Sequence, residues 1–109
     1  ADLYFNNGSI QVGKKILGQI RYDALTNEQI WQNYLKNFNV VPLLGSVETP
    51  VLSISGKKDG VVKSEYVRTG ASHIRNVTHI DLENAGHFPF VEQPRQFVSS
   101  VLSFVESKT

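Results

Sequence analysis

Asp59 and His87 are the two residues of this chain whose types and settings could do chemistry together. Asp59 closes the run Ser55-Gly56-Lys57-Lys58-Asp59, and His87 lies within Asn84-Ala85-Gly86-His87-Phe88-Pro89. A buried carboxylate that orients an imidazole is the base half of a nucleophilic triad. The nucleophile half is missing. No G-x-S-x-G occurs in the 109 residues, and no cysteine stands in for the serine.

Both groups must be held by the elements before them. Pro50 introduces Val51-Leu52-Ser53-Ile54-Ser55, a β-branched run that reads as a buried strand over residues 51–55. Thr78, Ile80 and Leu82 alternate with polar partners, as in an edge strand over 78–82 with one buried face. Between the strands, Ser64 is placed to cap a helix reaching about His73, and Pro94 opens a last helix with Phe97, Val101, Phe104 and Val105 on its apolar face. The order strand, helix, strand, helix predicts an α/β unit with parallel strands. In such sheets functional groups gather beyond the carboxyl ends of the strands, where both Asp59 and His87 fall.

Upstream, Asn6-Asn7-Gly8, Gly13 and Gly18 leave residues 1–23 with little expected regular structure. Thr26 with Gln29 forms a capping-box pattern opening a helix to about Phe38. Ile30, Tyr34 and Phe38, with Trp31 and Leu35 beside them, make its apolar stripe.

Composition narrows the classes. Hydrophobic residues at 40% and charged residues at 19% suit one soluble globular domain. A net charge of +1 with eleven scattered basic residues gives no reason to expect nucleic acid. No apolar run approaches the ~20 residues that span a bilayer, so no membrane partner is expected. The absence of cysteine rules out disulfides and thiolate metal sites. The expectation is a soluble chain, cytoplasmic rather than secreted, with no cofactor and no metal. The absence of methionine, with Ala1 first, suggests excision from something longer.

The stretch from about Val47 to Glu106 resembles the C-terminal part of an α/β-hydrolase-fold protein. Glu48-Thr49-Pro50-Val51-Leu52-Ser53-Ile54-Ser55-Gly56-Lys57-Lys58-Asp59 resembles that family's seventh strand and acid turn, and Leu82-Glu83-Asn84-Ala85-Gly86-His87-Phe88-Pro89-Phe90-Val91-Glu92-Gln93-Pro94 its histidine loop. The 28-residue separation of Asp59 and His87 is similar to the family's interval. The resemblance implies that Asp59 is the triad acid and His87 the general base. It further implies that residues 47–109 are the end of the hydrolase core and residues 1–46 the end of a helical cap or lid. The family's nucleophile elbow and oxyanion loop lie upstream and are not in this sequence. The expected activity is therefore that of a serine-type hydrolase on an ester, amide or similar carbonyl small molecule, with the isolated chain inactive. The alternative is a hydrolase-like receptor or interaction protein without turnover. The expected partner is the N-terminal half of the same hydrolase, or a second copy joined through the edge of the strand from Val51 to Ser55.

Other residues invite blander readings. His79 and Asp81 share a strand face, but two ligands do not make a metal site, so solvated strand polars are expected. His73 suits a helix end and Glu92 the first turn of the last helix. Gly8-Ser9-Ile10-Gln11-Val12-Gly13-Lys14-Lys15 nearly spells a phosphate-binding loop, but Lys15 brings no hydroxyl for Mg²⁺. Asn7-Gly8-Ser9 and Asn76-Val77-Thr78 match the glycosylation triplet, which arises often by chance.

Overall fold

The computed structural model describes residues 10–20 and 23–109. Along the chain these form α1 (Ile10–Leu17), α2 (Ala24–Ile30) continuing into a π-helical turn (Trp31–Leu35), α3 (Val41–Leu44), β1 (Val51–Gly56), α4 (Ser64–Ala71), β2 (Val77–Leu82), α5 (Pro89–Glu92) and α6 (Pro94–Ser107). The strands pair in parallel, from Val51 opposite Val77 to Gly56 opposite Leu82. A parallel pair needs a crossover, which α4 supplies.

Side chains alternate across a strand, so β1 and β2 present two different faces. Leu52 and Ile54 face α6, where Phe97 and Val101 meet them. Ser53, Ser55, His79 and Asp81 face α4, from which Arg68 reaches Asp81. The expected mixed α/β unit of two parallel strands with flanking helices is what the chain forms. Among the described residues, the buried apolar side chains are Ala71, Leu82, Ala85 and Pro89. On α6, Phe97 and Val101 are half-buried, and it is Val98, Leu102 and Val105 that stand exposed.

Several local expectations are corrected. Residues 10–17 are helical: Gly13 is a buried interior position of α1, and only Gly18 ends it, donating to the Lys14 carbonyl at 3.0 Å. That places Gly13-Lys14-Lys15 of the phosphate-loop-like run within a helix, while Gly8, Ser9 and the Asn7-Gly8-Ser9 triplet lie outside the described residues. The second helix starts earlier than the Thr26 pattern suggests. Asp23 caps it, its Oδ1 accepting the Thr26 N–H at 2.9 Å, and this bond holds the Asp23 carboxyl below its ordinary value. Asp is as good a cap as Thr, so the chain uses the one three residues upstream. The stripe of Ile30, Trp31, Tyr34, Leu35 and Phe38 is 43–73% exposed rather than packed. Ser64 is the first residue of α4, not its cap, and the Lys63 cap position makes no side-chain bond.

The polar face of the sheet is the larger surprise. His79 and Asp81 are covered, with side chains 11% and 7% exposed, rather than solvated. They are buried because they satisfy one another. Ser55 Oγ donates to Asp81 Oδ1 at 2.5 Å, His79 Nε2 lies 2.8 Å from the same oxygen, and Ser53 Oγ lies 2.8 Å from His79 Nδ1. Arg68 pairs with the other Asp81 oxygen. With Asp81 ionised, the neutral His79 donates from Nε2 and accepts from Ser53. Burial pushes the His79 imidazole below its ordinary value, and the Arg68 charge adds to this. The unfolded chain therefore takes up the proton first. This contribution to stability is complete above about pH 6.5 and is lost as pH falls from there through the lower folded value. Thermal unfolding of the chain and of His79→Gln from pH 8 to 5 checks the sign. The variant should lose less of its stability over that range.

Candidate active site

The loops after the two strands are stitched together before either reaches its functional residue. Beyond β1, the Lys57 N–H donates to the Leu82 carbonyl at 2.9 Å and the Lys58 N–H to the Ala85 carbonyl at 2.8 Å. The pairing thus continues past the strand ends and brings the Asp59 turn against the loop of residues 83–88. Gly56 makes this contact possible. A Cβ there would lie 2.1 Å from the Gly86 carbonyl oxygen and 2.3 Å from that of Ala85, and backbone atoms have nowhere to yield. Gly56→Ala should cost on the order of 3 kcal/mol and pry the two loops apart. Urea unfolding measures the first effect, and loss of the Lys58 amide's exchange protection the second.

Asp59 divides its carboxylate between two tasks. Oδ1 accepts the N–H groups of Val61 and Val62 at 2.8 and 3.0 Å, closing a turn. Oδ2 lies 3.0 Å from Nδ1 of His87. Asp59 is 8% exposed and His87 32%, so the carboxylate is shielded while the imidazole is accessible. An ionised carboxylate only accepts, so the Nδ1–H of His87 donates to it and the lone pair of the neutral ring resides on Nε2. That is the tautomer a general base needs.

An aromatic chain supports the imidazole. His87 meets Phe88 edge-on with centroids 5.1 Å apart, Phe88 meets Phe90 at 6.0 Å, and Phe90 meets Phe97 of α6 at 5.9 Å. His87 lies on a cleft of about 430 Å³ lined also by Leu52, Ile54, Phe90, Phe97 and Val101. The setting offers a base beside an apolar wall.

The structure brings Asp59 and His87 together as their sequence positions suggest. His73 sits just past α4, exposed, donating its N–H to the Gly70 carbonyl at 3.2 Å. Glu92 is not in the first turn of α6. It ends α5, and its Oε2 accepts the N–H of Gly86, the residue before His87. Beside it, Gln93 Nε2 donates to the Asn84 carbonyl at 3.0 Å. Neither tie was visible in the sequence, though an acid six residues beyond a glycine of the histidine loop was the one available signal. Among the described residues no group of three or more His, Asp or Glu could hold a metal, and no helix is long and apolar enough to cross a membrane.

No protein-family model matches the chain, and no curated protein matches it. Solved structures do. A thermophilic esterase from Thermogutta terrifontis superposes with a TM-score of 0.73 at 18% identity, over 96% of this chain and 40% of the esterase. A bacterial membrane phospholipase A gives a TM-score of 0.72 at 22% identity, over 97% of this chain and 36% of its own. A serine hydrolase of carbazole degradation gives 0.61 at 21%, over 91% and 46%. The fold is that of the α/β hydrolases. The chain spans less than half the length of each of these three structures.

Proposed function

We propose that this chain is the C-terminal part of a serine-type hydrolase acting on an ester, amide or similar carbonyl substrate. Asp59 orients His87, and His87 serves as general base toward a serine on a segment outside these 109 residues. The serine oxygen attacks the carbonyl carbon as its proton passes to His87 Nε2. The same proton then goes to the leaving group as its bond to the carbonyl carbon breaks. Water repeats the sequence on the acyl-enzyme, and Asp59 stabilises the imidazolium each time. Residues 1–46 belong in this reading to the end of a cap over the cleft. Without its serine the chain alone is inactive.

The observation that carries the reading is the 3.0 Å contact of His87 Nδ1 with Asp59 Oδ2 beyond the carboxyl ends of two parallel strands. The likeness to an esterase, a phospholipase and a serine hydrolase supports the reaction class. The test is hydrolysis of short p-nitrophenyl esters by the complete protein. Turnover that is lost with His87→Ala supports the proposal. An inert complete protein, unchanged by that substitution, sinks it and favours a hydrolase-like binding protein.

A further inference from the structure

We infer that Glu92 is a positioning residue for His87, holding the histidine loop through the backbone of Gly86. The inference rests on the reading of His87 as a base, because only then does the exact placing of its ring matter to chemistry.

The loop of residues 83–88 has no regular structure of its own to fix it. On one side it is tied to the Asp59 turn, through the Ala85 carbonyl and the Lys58 N–H at 2.8 Å. That tie alone would let the peptide units after residue 85 swing about it. On the other side Glu92 Oε2 receives the Gly86 N–H, and Gln93 Nε2 donates to the Asn84 carbonyl at 3.0 Å. The two ties from the α5–α6 junction add to the one from the acid turn. Gly86 is buried, so its N–H has no water to fall back on, and a carboxylate acceptor makes the bond charge-assisted. Glu92 itself is anchored by its own backbone, which donates to the Phe88 carbonyl at 3.1 Å. The segment from Gly86 to Glu92 is thus a closed ring of seven residues that contains His87.

The geometry separates two roles that a substitution could confuse. A general loosening of the fold would show in β1 and β2 as well as in the loop. A positioning loss shows only at Gly86 and at the His87 ring. Nuclear magnetic resonance of the complete protein labelled with ¹⁵N reads both without turnover. In Glu92→Ala, the Gly86 amide should exchange at least about tenfold faster, and the His87 Nδ1–H resonance should broaden or vanish. The amides of Ser55 and Ile80, which lie in the ladder between the two strands, should keep their protection. Glu92→Gln, which retains an acceptor oxygen, should restore most of the Gly86 protection. Two results overturn the inference. One is a Glu92→Ala chain whose Gly86 and His87 signals stay within about twofold of the parent. The other is loss of protection at Ser55 and Ile80 together with Gly86. Neither depends on activity, so the ester assay on the complete protein judges the hydrolase reading separately.

Discussion

If the complete protein acts as proposed, His87→Ala should lower its kcat by roughly 10⁶-fold, and Asp59→Asn by about 10⁴-fold. The two losses differ in kind. Alanine at 87 removes the proposed base, and the other described residues that line the cleft offer no substitute. Asparagine at 59 keeps an oxygen for the Val61 and Val62 N–H groups, so the turn that places it survives. Its amide nitrogen then points at His87 Nδ1, which must accept instead of donate. The ring is driven to the tautomer with its proton on Nε2, where the serine proton would have to go. The defect is therefore chemical, with KM changed only slightly. The double variant should lose little more than His87→Ala alone, because acid and base act as one unit. Steady-state kinetics on p-nitrophenyl esters checks each. If Asp59→Asn kept more than a tenth of the activity, the orienting role of Asp59 would fall.

What could be read from the sequence was what depends on order along the chain. Asp59 and His87 follow strands whose parallel pairing is forced by the helix between them, so their meeting needed no knowledge of side-chain contacts. The contacts that set their distance were not legible. Gly56 reads as an ordinary turn glycine until the Gly86 carbonyl is seen where its Cβ would be. Glu92 reads as a helix acid until its carboxylate is seen folded back six residues. His79 and Asp81 look solvated because alternation marks them polar, whereas Ser53, Ser55 and Arg68 arrive from elsewhere to satisfy them. Alternation identifies which residues share a face but not whether that face is dry. The helix over residues 10–17 was hidden by reading Gly13 as a breaker when it is an interior residue.

The outer edge of β1 carries the last prediction. Val51 donates its N–H to the Asn76 carbonyl at 2.9 Å, and Lys57 to that of Leu82, so odd-numbered residues of this strand bond toward β2. In a parallel ladder the even ones then turn outward, and Leu52 and Ile54 present their N–H and C=O groups to the other side. Among the described residues no strand pairs there. On the proposed reading, the segment that bears the serine should add to β1 at this edge in a one-to-one complex, and chains held without it should associate with each other, edge to edge and antiparallel. Proline at two neighbouring positions separates the edge from the sheet itself. Leu52→Pro removes an outward donor and should abolish association while β1 and β2 stay paired. Val51→Pro removes an inward donor and should disrupt the pairing of β1 with β2. Light scattering at micromolar concentration with circular dichroism distinguishes them. A parent chain that stayed monomeric, or a Leu52→Pro chain that associated as before, would show that the edge is not the surface that joins.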